Sequence, residues 1–190
     1  MPLTFSDSFW ISCANGISFA RILVAPLILW LLLEQDYMSA LILFTTSALS
    51  DAIDGFLARR AKTKNILGVY LDPLADKILL VSIYIFCGIM EWLHLGLVIL
   101  VVFRDTLIVL SLALAQLLDV RHGVISPTLS SKINTTAQML LVLIVLIGQA
   151  APFMKVSPLY GFPFIFLPWI VAATTLISGI QYLWLWWIKN

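Results

Sequence analysis

Charge is scarce in this sequence. Only 11% of its 190 residues are Asp, Glu, Lys or Arg, and they cancel to a formal net charge of +1. With so few charges, 62% hydrophobic residues and a mean hydropathy of +1.04, the chain lacks the polar surface of a soluble domain. No nucleic acid is expected among its partners. Cysteine is limited to Cys13 and Cys87, which have neither metal-binding nor redox spacing, and both are expected to be buried or interfacial thiols. Internal repeats, low-complexity tracts and a soluble accessory domain are lacking. So is a basic leader ending in a small-residue cleavage site, and no removable signal peptide is expected.

What the chain has in abundance is apolar sequence, broken at intervals by polar or charged punctuation. The breaks leave six segments, roughly 17–33, 38–60, 68–91, 94–118, 130–151 and 164–187, each near the length needed to cross hydrocarbon. Residues 5–14 mix Phe5, Phe9, Trp10 and Ile11 with serine and Asp7, the composition of an interfacial helix. The expectation is an all-α fold, a polytopic membrane bundle of six transmembrane helices. A short N-terminal interfacial helix (about 1–14) precedes them, and the whole chain, 1–190, forms one domain. Pro127 and the polar run Thr128 to Lys132 mark the start of the fifth helix, and Phe153 to Pro163 reads as an exposed connection. Tyr182, Trp184, Trp186 and Trp187 fit an aromatic belt at the membrane interface.

Basic residues set the expected orientation. Arg59, Arg60, Lys62 and Lys64 follow the second segment, Arg121 the fourth and Lys189 the sixth. The opposite loops carry Glu34, Asp36 and Glu91, with Lys155 their only Lys or Arg. The positive-inside rule then puts both termini and the basic connections in the cytoplasm. A bacterial inner membrane is the expected location, with the mitochondrial inner membrane as the alternative.

Against this apolar background stand Asp51, Asp54, Asp72 and Asp76. An ionised carboxylate near hydrocarbon is costly unless it faces protein, water or a cation, so intramembrane acids mark functional sites. Asp51 and Asp54 are three apart and Asp72 and Asp76 four apart, so on helices each pair projects from one face. One such pair alone is more often a solvated face or a cap than a metal site. Four carboxylates in one pocket repel one another unless divalent cations neutralise them, and oxygen ligands without nearby His or Cys suit Mg2+, Mn2+ or Ca2+ rather than zinc. Gly55 and Ala58 leave room for close approach to the backbone, and Arg59 adds a planar donor fork suited to phosphate. Together they point to a pyrophosphate-bearing substrate. A divalent-cation channel or transporter shares the acids, but it has no use for Gly55, Ala58 and Gly68 at fixed spacing, and Arg59 opposes cation passage.

In full the pattern reads Asp51-x2-Asp54-Gly55-x2-Ala58-Arg59-x8-Gly68-x3-Asp72-x3-Asp76. It resembles, at every defined position, the motif of the CDP-alcohol phosphotransferase family, and the resemblance extends over nearly the whole chain. That resemblance implies a reaction in which a hydroxyl attacks the β-phosphorus of a CDP-linked lipid or alcohol and CMP leaves. It implies Asp51, Asp54, Asp72 and Asp76 as ligands of a divalent metal, Mg2+ or Mn2+, with two ions. Asp76 is also implied as the catalytic base. Asp51, Asp54, Gly55, Ala58, Arg59 and Gly68 are implied as the CDP-binding positions, and a homodimer as the assembly.

Within the family the chain is most similar to the cardiolipin synthases, with the phosphatidylglycerophosphate synthases close behind. Both share Asp72-Pro73-Leu74-Ala75-Asp76-Lys77 and an amino-terminal Asn and Arg, here Asn15 and Arg21. Arg104-Asp105 and the run Ser131-Lys132-Ile133-Asn134-Thr135 with Gln138 resemble the first group; the second usually carries Arg-Glu and a lysine at position 134. The implied donor is CDP-diacylglycerol. The implied acceptor is phosphatidylglycerol, with glycerol 3-phosphate as the alternative, and both substrates belong among membrane lipids or at their surface. Arg104, Lys132, Asn134 and Arg21 are the candidate acceptor-binding residues. A dianionic glycerol 3-phosphate gains more from an extra cation than a phosphodiester does, which favours the lipid acceptor. Two plainer readings stand beside this: Arg104 pairs with Asp105 or Asp76 inside the bundle, and Lys132 snorkels at the interface.

Overall fold

The computed structural model describes residues 22–60, 66–117, 129–152, 155 and 158–189. These residues form six α-helices and no strand. They are α1 (Ile22–Leu33), α2 (Tyr37–Arg60), α3 (Ile66–Ile89), α4 (Leu95–Leu117), α5 (Leu129–Ala150) and α6 (Pro158–Lys189). The boundaries of α2 to α5 fall within two residues of the apolar boundaries read from the sequence. The expected interfacial helix lies outside the described residues.

One boundary differs. The stretch expected as an exposed connection up to Pro163 is helical from Pro158 onwards, so α6 starts six residues before the expected position 164. Pro158 occupies the first helical position, where its missing N–H is no loss and its fixed φ is already helical. Pro163 and Pro168 lie inside the helix, and each removes one backbone hydrogen bond. Apolar membrane helices tolerate such prolines where aqueous ones break.

Two segments, Ser130–Ala150 and Tyr160–Gln181, are long and apolar enough to cross a bilayer by length and composition. The apolar stretches Ile22–Leu33, Tyr37–Ser50 and Lys77–Ile89 are shorter. Large apolar side chains are exposed on every helix: Leu23, Leu27 and Trp30 on α1, Leu95, Ile99, Phe103, Leu107 and Leu110 along one stripe of α4, and Phe166, Trp169 and Ile170 on α6. In water this surface would drive association, whereas lipid tails cover it at no cost.

Two tight corners share one design. After α1 the chain turns through Gln35, whose φ is 62°, and after α3 through Glu91, at 58°. At the first, Asp36 N–H donates to the Leu31 carbonyl (2.9 Å) and Gln35 N–H to that of Leu32 (3.2 Å). At the second, Trp92 N–H donates to Cys87 (2.9 Å) and Glu91 N–H to Gly88 (3.2 Å). Both are Schellman caps, which satisfy carbonyls that the helix end would otherwise orphan. The left-handed residue costs a side-chain-bearing amino acid about 1 kcal/mol, a strain glycine does not have. Gln35→Gly and Glu91→Gly are therefore each expected to raise the melting temperature of the detergent-solubilised protein; lowered values would show that the side chains make compensating contacts.

The next helices start just as definitely. Asp36 caps α2 by accepting the Ser39 N–H on Oδ1 (3.2 Å), and its hydrogen bonds with the Ser39 side chain and backbone hold its carboxyl below the ordinary value. His94 Nδ1 accepts the Gly96 N–H (3.2 Å) at the start of α4.

The chain divides into two compact units, the first ending at Ser82 and the second starting at Ile83, within α3. In the first, Ala25, Ile28 and Leu32 form the buried face of α1, and Ala40 and Phe44 that of α2. In the second, α6 packs along α5 and also against α4. The pair α5/α6 runs antiparallel. Ser130 bonds Gln181 at one end, Asn134 meets Thr174 and Thr175 further along, and Gly148 faces Tyr160 at the other end. A Cβ at position 148 would collide with the Tyr160 ring, so glycine is what allows this close approach. Val101, Leu141, Val142, Val145, Leu146 and Val171 are buried here.

Candidate functional site

The acid motif lies on two helices. Asp51, Asp54, Gly55, Ala58 and Arg59 belong to the last turns of α2, and Gly68, Asp72 and Asp76 to the first half of α3. Helical backbone at both segments gives each Asp pair the one-face relation that its spacing implies. The side chains of these eight residues lie outside the described residues, as does Arg21 entirely. Among the described residues no group of three or more His, Cys, Asp or Glu side chains gathers as a metal cluster. Lys77, next to Asp76, is buried, as is Cys87 further along α3; Cys13 lies outside the described residues.

The second unit contains a polar cluster enclosed by apolar helices. Arg104 on α4 is 3% exposed and Asp105 is fully buried. Arg104 Nη1 pairs with Asp105 Oδ1 at 2.6 Å, while Nη2 donates to Ser131 Oγ of α5 at 2.8 Å and to Ser178 Oγ of α6. Burying two charges is costly unless they pair and their remaining donors are satisfied, and the two serine hydroxyls accept on the guanidinium's far side. The arrangement leaves Arg104 Nε without a partner.

One turn beyond Ser131 on α5, Asn134 is completely buried. Its Oδ1 accepts from Thr174 Oγ1 (2.8 Å) and Thr175 Oγ1 (2.9 Å), and its Nδ2 has no partner. A turn further, Gln138 is also completely buried, with neither Oε1 nor Nε2 bonded. Tyr84 of α3 donates its hydroxyl to the main-chain carbonyl of Gln138 at 3.3 Å. Lys132, on the other side of α5, is exposed. The structure thus brings Arg104 and Asn134 into one polar seam and leaves Lys132 outside it.

The contribution of α6, whose apolar segment 164–187 carries no charge, is absent from the sequence expectation. Thr174, Thr175 and Ser178 were recoverable from their i, i+1, i+4 spacing, which puts hydroxyls on one face of an apolar helix. Hydroxyls sit cheaply in such helices because they can bond back to their own backbone; the single Thr174 hydroxyl proton is shared between the Ile170 carbonyl (2.8 Å) and Asn134 Oδ1 (2.8 Å).

The described residues thus form an all-α protein in which two helices are long and apolar enough to cross a bilayer, α2 and α3 carry the acid motif, and the second unit holds a buried arginine seam. Comparison with known proteins makes the assignment specific. The family described as CDP-alcohol phosphatidyltransferase matches residues 11–181. A CDP-diacylglycerol--glycerol-3-phosphate 3-phosphatidyltransferase of Oryza sativa subsp. japonica is 32% identical over 91% of this chain and 56% of its own length. A cardiolipin synthase (CMP-forming) of Rattus norvegicus is 34% identical over 67% of this chain and 47% of its own. A CDP-diacylglycerol--glycerol-3-phosphate 3-phosphatidyltransferase of Pseudomonas fluorescens is 33% identical over 89% of this chain and 87% of its own. The chain belongs to the CDP-alcohol phosphatidyltransferase family. It spans about half the length of the rice and rat relatives.

Proposed function

We propose that this chain is an integral membrane phosphatidyltransferase of the cardiolipin synthase kind. It transfers the phosphatidyl group of CDP-diacylglycerol to the free primary hydroxyl of phosphatidylglycerol and releases CMP. The observation that carries the reading is the complete acid motif on α2 and α3 in a chain of this family. In the reaction the acceptor oxygen forms a bond to the β-phosphorus, the bond from that phosphorus to the bridging oxygen breaks with its electron pair leaving on CMP, and Asp76 takes the hydroxyl proton. Arg59, with the small positions Gly55, Ala58 and Gly68, binds the cytidine diphosphate.

The donor set fits a hard cation. Four carboxylates on two apolar helices, with no His or Cys among the motif residues, suit Mg2+ or Mn2+, and Asp51, Asp54, Asp72 and Asp76 would hold two ions. Bound there, such ions neutralise the pyrophosphate and stabilise charge on the leaving nucleotide. The six helices cross the bilayer as one domain with both termini and the active site on the cytoplasmic side. A bacterial inner membrane is the proposed location, and a homodimer the proposed assembly.

A second reading rests on the rice and Pseudomonas relatives, whose names specify glycerol 3-phosphate. The two readings separate when purified protein, CDP-diacylglycerol and metal are supplied with phosphatidylglycerol or glycerol 3-phosphate singly and the lipid product is weighed by mass spectrometry. Cardiolipin from the first alone supports the proposal; phosphatidylglycerophosphate from the second alone replaces the acceptor and leaves the acid motif's role intact. Arg104, Lys132, Asn134 and Arg21 are proposed to serve the acceptor. Lys132→Ala is expected to raise the acceptor KM about tenfold, the scale of one charge-assisted hydrogen bond, with the CDP-diacylglycerol KM unchanged. A change in the donor KM alone would move Lys132 to the donor site.

A further inference from the structure

Lys132 is a cation on the outside of an apolar helix. It stands in the first turn of α5 and is exposed, while Ser131, Asn134 and Gln138, on the opposite side of the helix, are buried. Among the described residues of this unit the carboxylates are Asp105, which is paired with Arg104, and Glu91, in the corner before α4. Among the described residues, then, no carboxylate compensates the lysine.

Beyond it runs a stripe that suits hydrocarbon. Ile133, Thr136 and Leu140 are exposed, and with Lys132 they occupy positions i, i+1, i+4 and i+8, within about 100° of the helix circumference. Thr136 adds little polarity to this face, because its hydroxyl donates to the Lys132 carbonyl at 3.1 Å, within the helix. The segment Ser130–Ala150 is long and apolar enough to cross a bilayer, and Lys132 lies at its start. Leu140 is about 12 Å further along the axis, most of the roughly 15 Å of hydrocarbon in one leaflet. The lysine accordingly sits at headgroup depth and the stripe at the depth of the acyl chains. A phospholipid with an anionic head presents the complementary order, a negative charge followed by hydrocarbon.

We infer that the outer face of α5 formed by Lys132, Ile133, Thr136 and Leu140 docks an anionic phospholipid of the surrounding bilayer, its phosphate at the Lys132 ammonium and an acyl chain along the stripe. The apolar contact is the same for any phospholipid, since lipid tails are alike to such a surface, so selectivity resides in the one cation. The inference rests on the membrane reading of α5 and goes beyond the acceptor role proposed for Lys132: it involves no reaction, and any anionic head satisfies it.

The test uses the whole 190-residue chain in nanodiscs, without CDP-diacylglycerol or metal, and phospholipid probes with a photoactivatable diazirine in one acyl chain. Phosphatidylglycerol and phosphatidylserine are the anionic probes, the second offering no free hydroxyl as an acceptor, and phosphatidylcholine is the neutral one. Cross-linked positions are located by mass spectrometry. Both anionic probes are expected to label residues 133–140 about fivefold more than phosphatidylcholine, the scale of one basic residue at an anionic membrane surface. Lys132→Gln is expected to bring the three probes level and Lys132→Arg to keep the preference. Raising the salt concentration gives the same readout on wild type, where the preference is expected to shrink. Equal labelling of this stretch by all three probes in wild type overturns the inference, as does a preference that survives in Lys132→Gln. Labelling by phosphatidylglycerol alone also overturns it and leaves the acceptor role standing, whereas failure of the transferase reading would leave the labelling pattern unchanged.

Discussion

Asp76→Asn is expected to cut CMP release by about a hundredfold to ten-thousandfold, the usual contribution of a positioned general base. The substitution keeps the shape and one oxygen of the side chain and removes its capacity to take a proton. CDP-diacylglycerol binding should survive in large part, because Asp51, Asp54 and Asp72 remain. Asp51→Asn and Asp72→Asn should behave differently, raising the Mg2+ or Mn2+ concentration needed for half-maximal rate along with lowering the rate itself. The contrast is the informative part: one variant loses turnover at any metal concentration, and the others are partly restored by excess metal. Undiminished CMP release by Asp76→Asn would remove the base from that position.

The second large effect is expected at Arg104. Arg104→Leu removes the cation paired with the buried Asp105 carboxylate and the donor to Ser131 and Ser178, a change of the kind that costs about 3–5 kcal/mol when a buried pair loses one partner. The double variant Arg104→Leu/Asp105→Leu replaces both charges with apolar volume, so it should recover much of that stability. Activity separates the two roles that the sequence left open for Arg104. If the guanidinium only pairs with Asp105, the double variant regains turnover as well as stability. If it serves the acceptor's phosphate, stability returns and the acceptor KM stays high; this is the expected result, because Nε is left without an internal partner. Thermal melting and acceptor KM on the same three proteins decide it.

These two sites also show what the sequence made legible. Helix positions were readable because apolar runs and their breaks obey a length constraint, and α2 to α5 lie where those runs lie. The start of α6 was not, because Pro158, Gly161 and Pro163 are turn formers in water, whereas proline at a first helical position or within an apolar helix is tolerated. Asp51, Asp54, Asp72 and Asp76 were conspicuous because carboxylates are rare in such a chain and their spacing is helical. Pairing of Arg104 with Asp105 was foreseen as one of two readings, and the structure shows the pair. Its partners on α6 were missed, since Thr174, Thr175 and Ser178 look like ordinary members of an apolar helix until a buried amide or guanidinium is found against them. Which buried polar groups remain unsatisfied is likewise invisible in sequence. Asn134 and Gln138 differ there only by position, and only the fold shows that threonines occupy one end of the first amide and nothing occupies the second.

The most direct measurement is CMP formation by the purified chain in liposomes containing CDP-diacylglycerol and either glycerol acceptor, with Mg2+ or Mn2+ and with a chelator in parallel. The account predicts CMP released in step with a new phospholipid, dependent on the acceptor and abolished by chelation. Folded protein that forms no CMP with any acceptor and metal, or that forms it undiminished with all divalent metal removed, would contradict it.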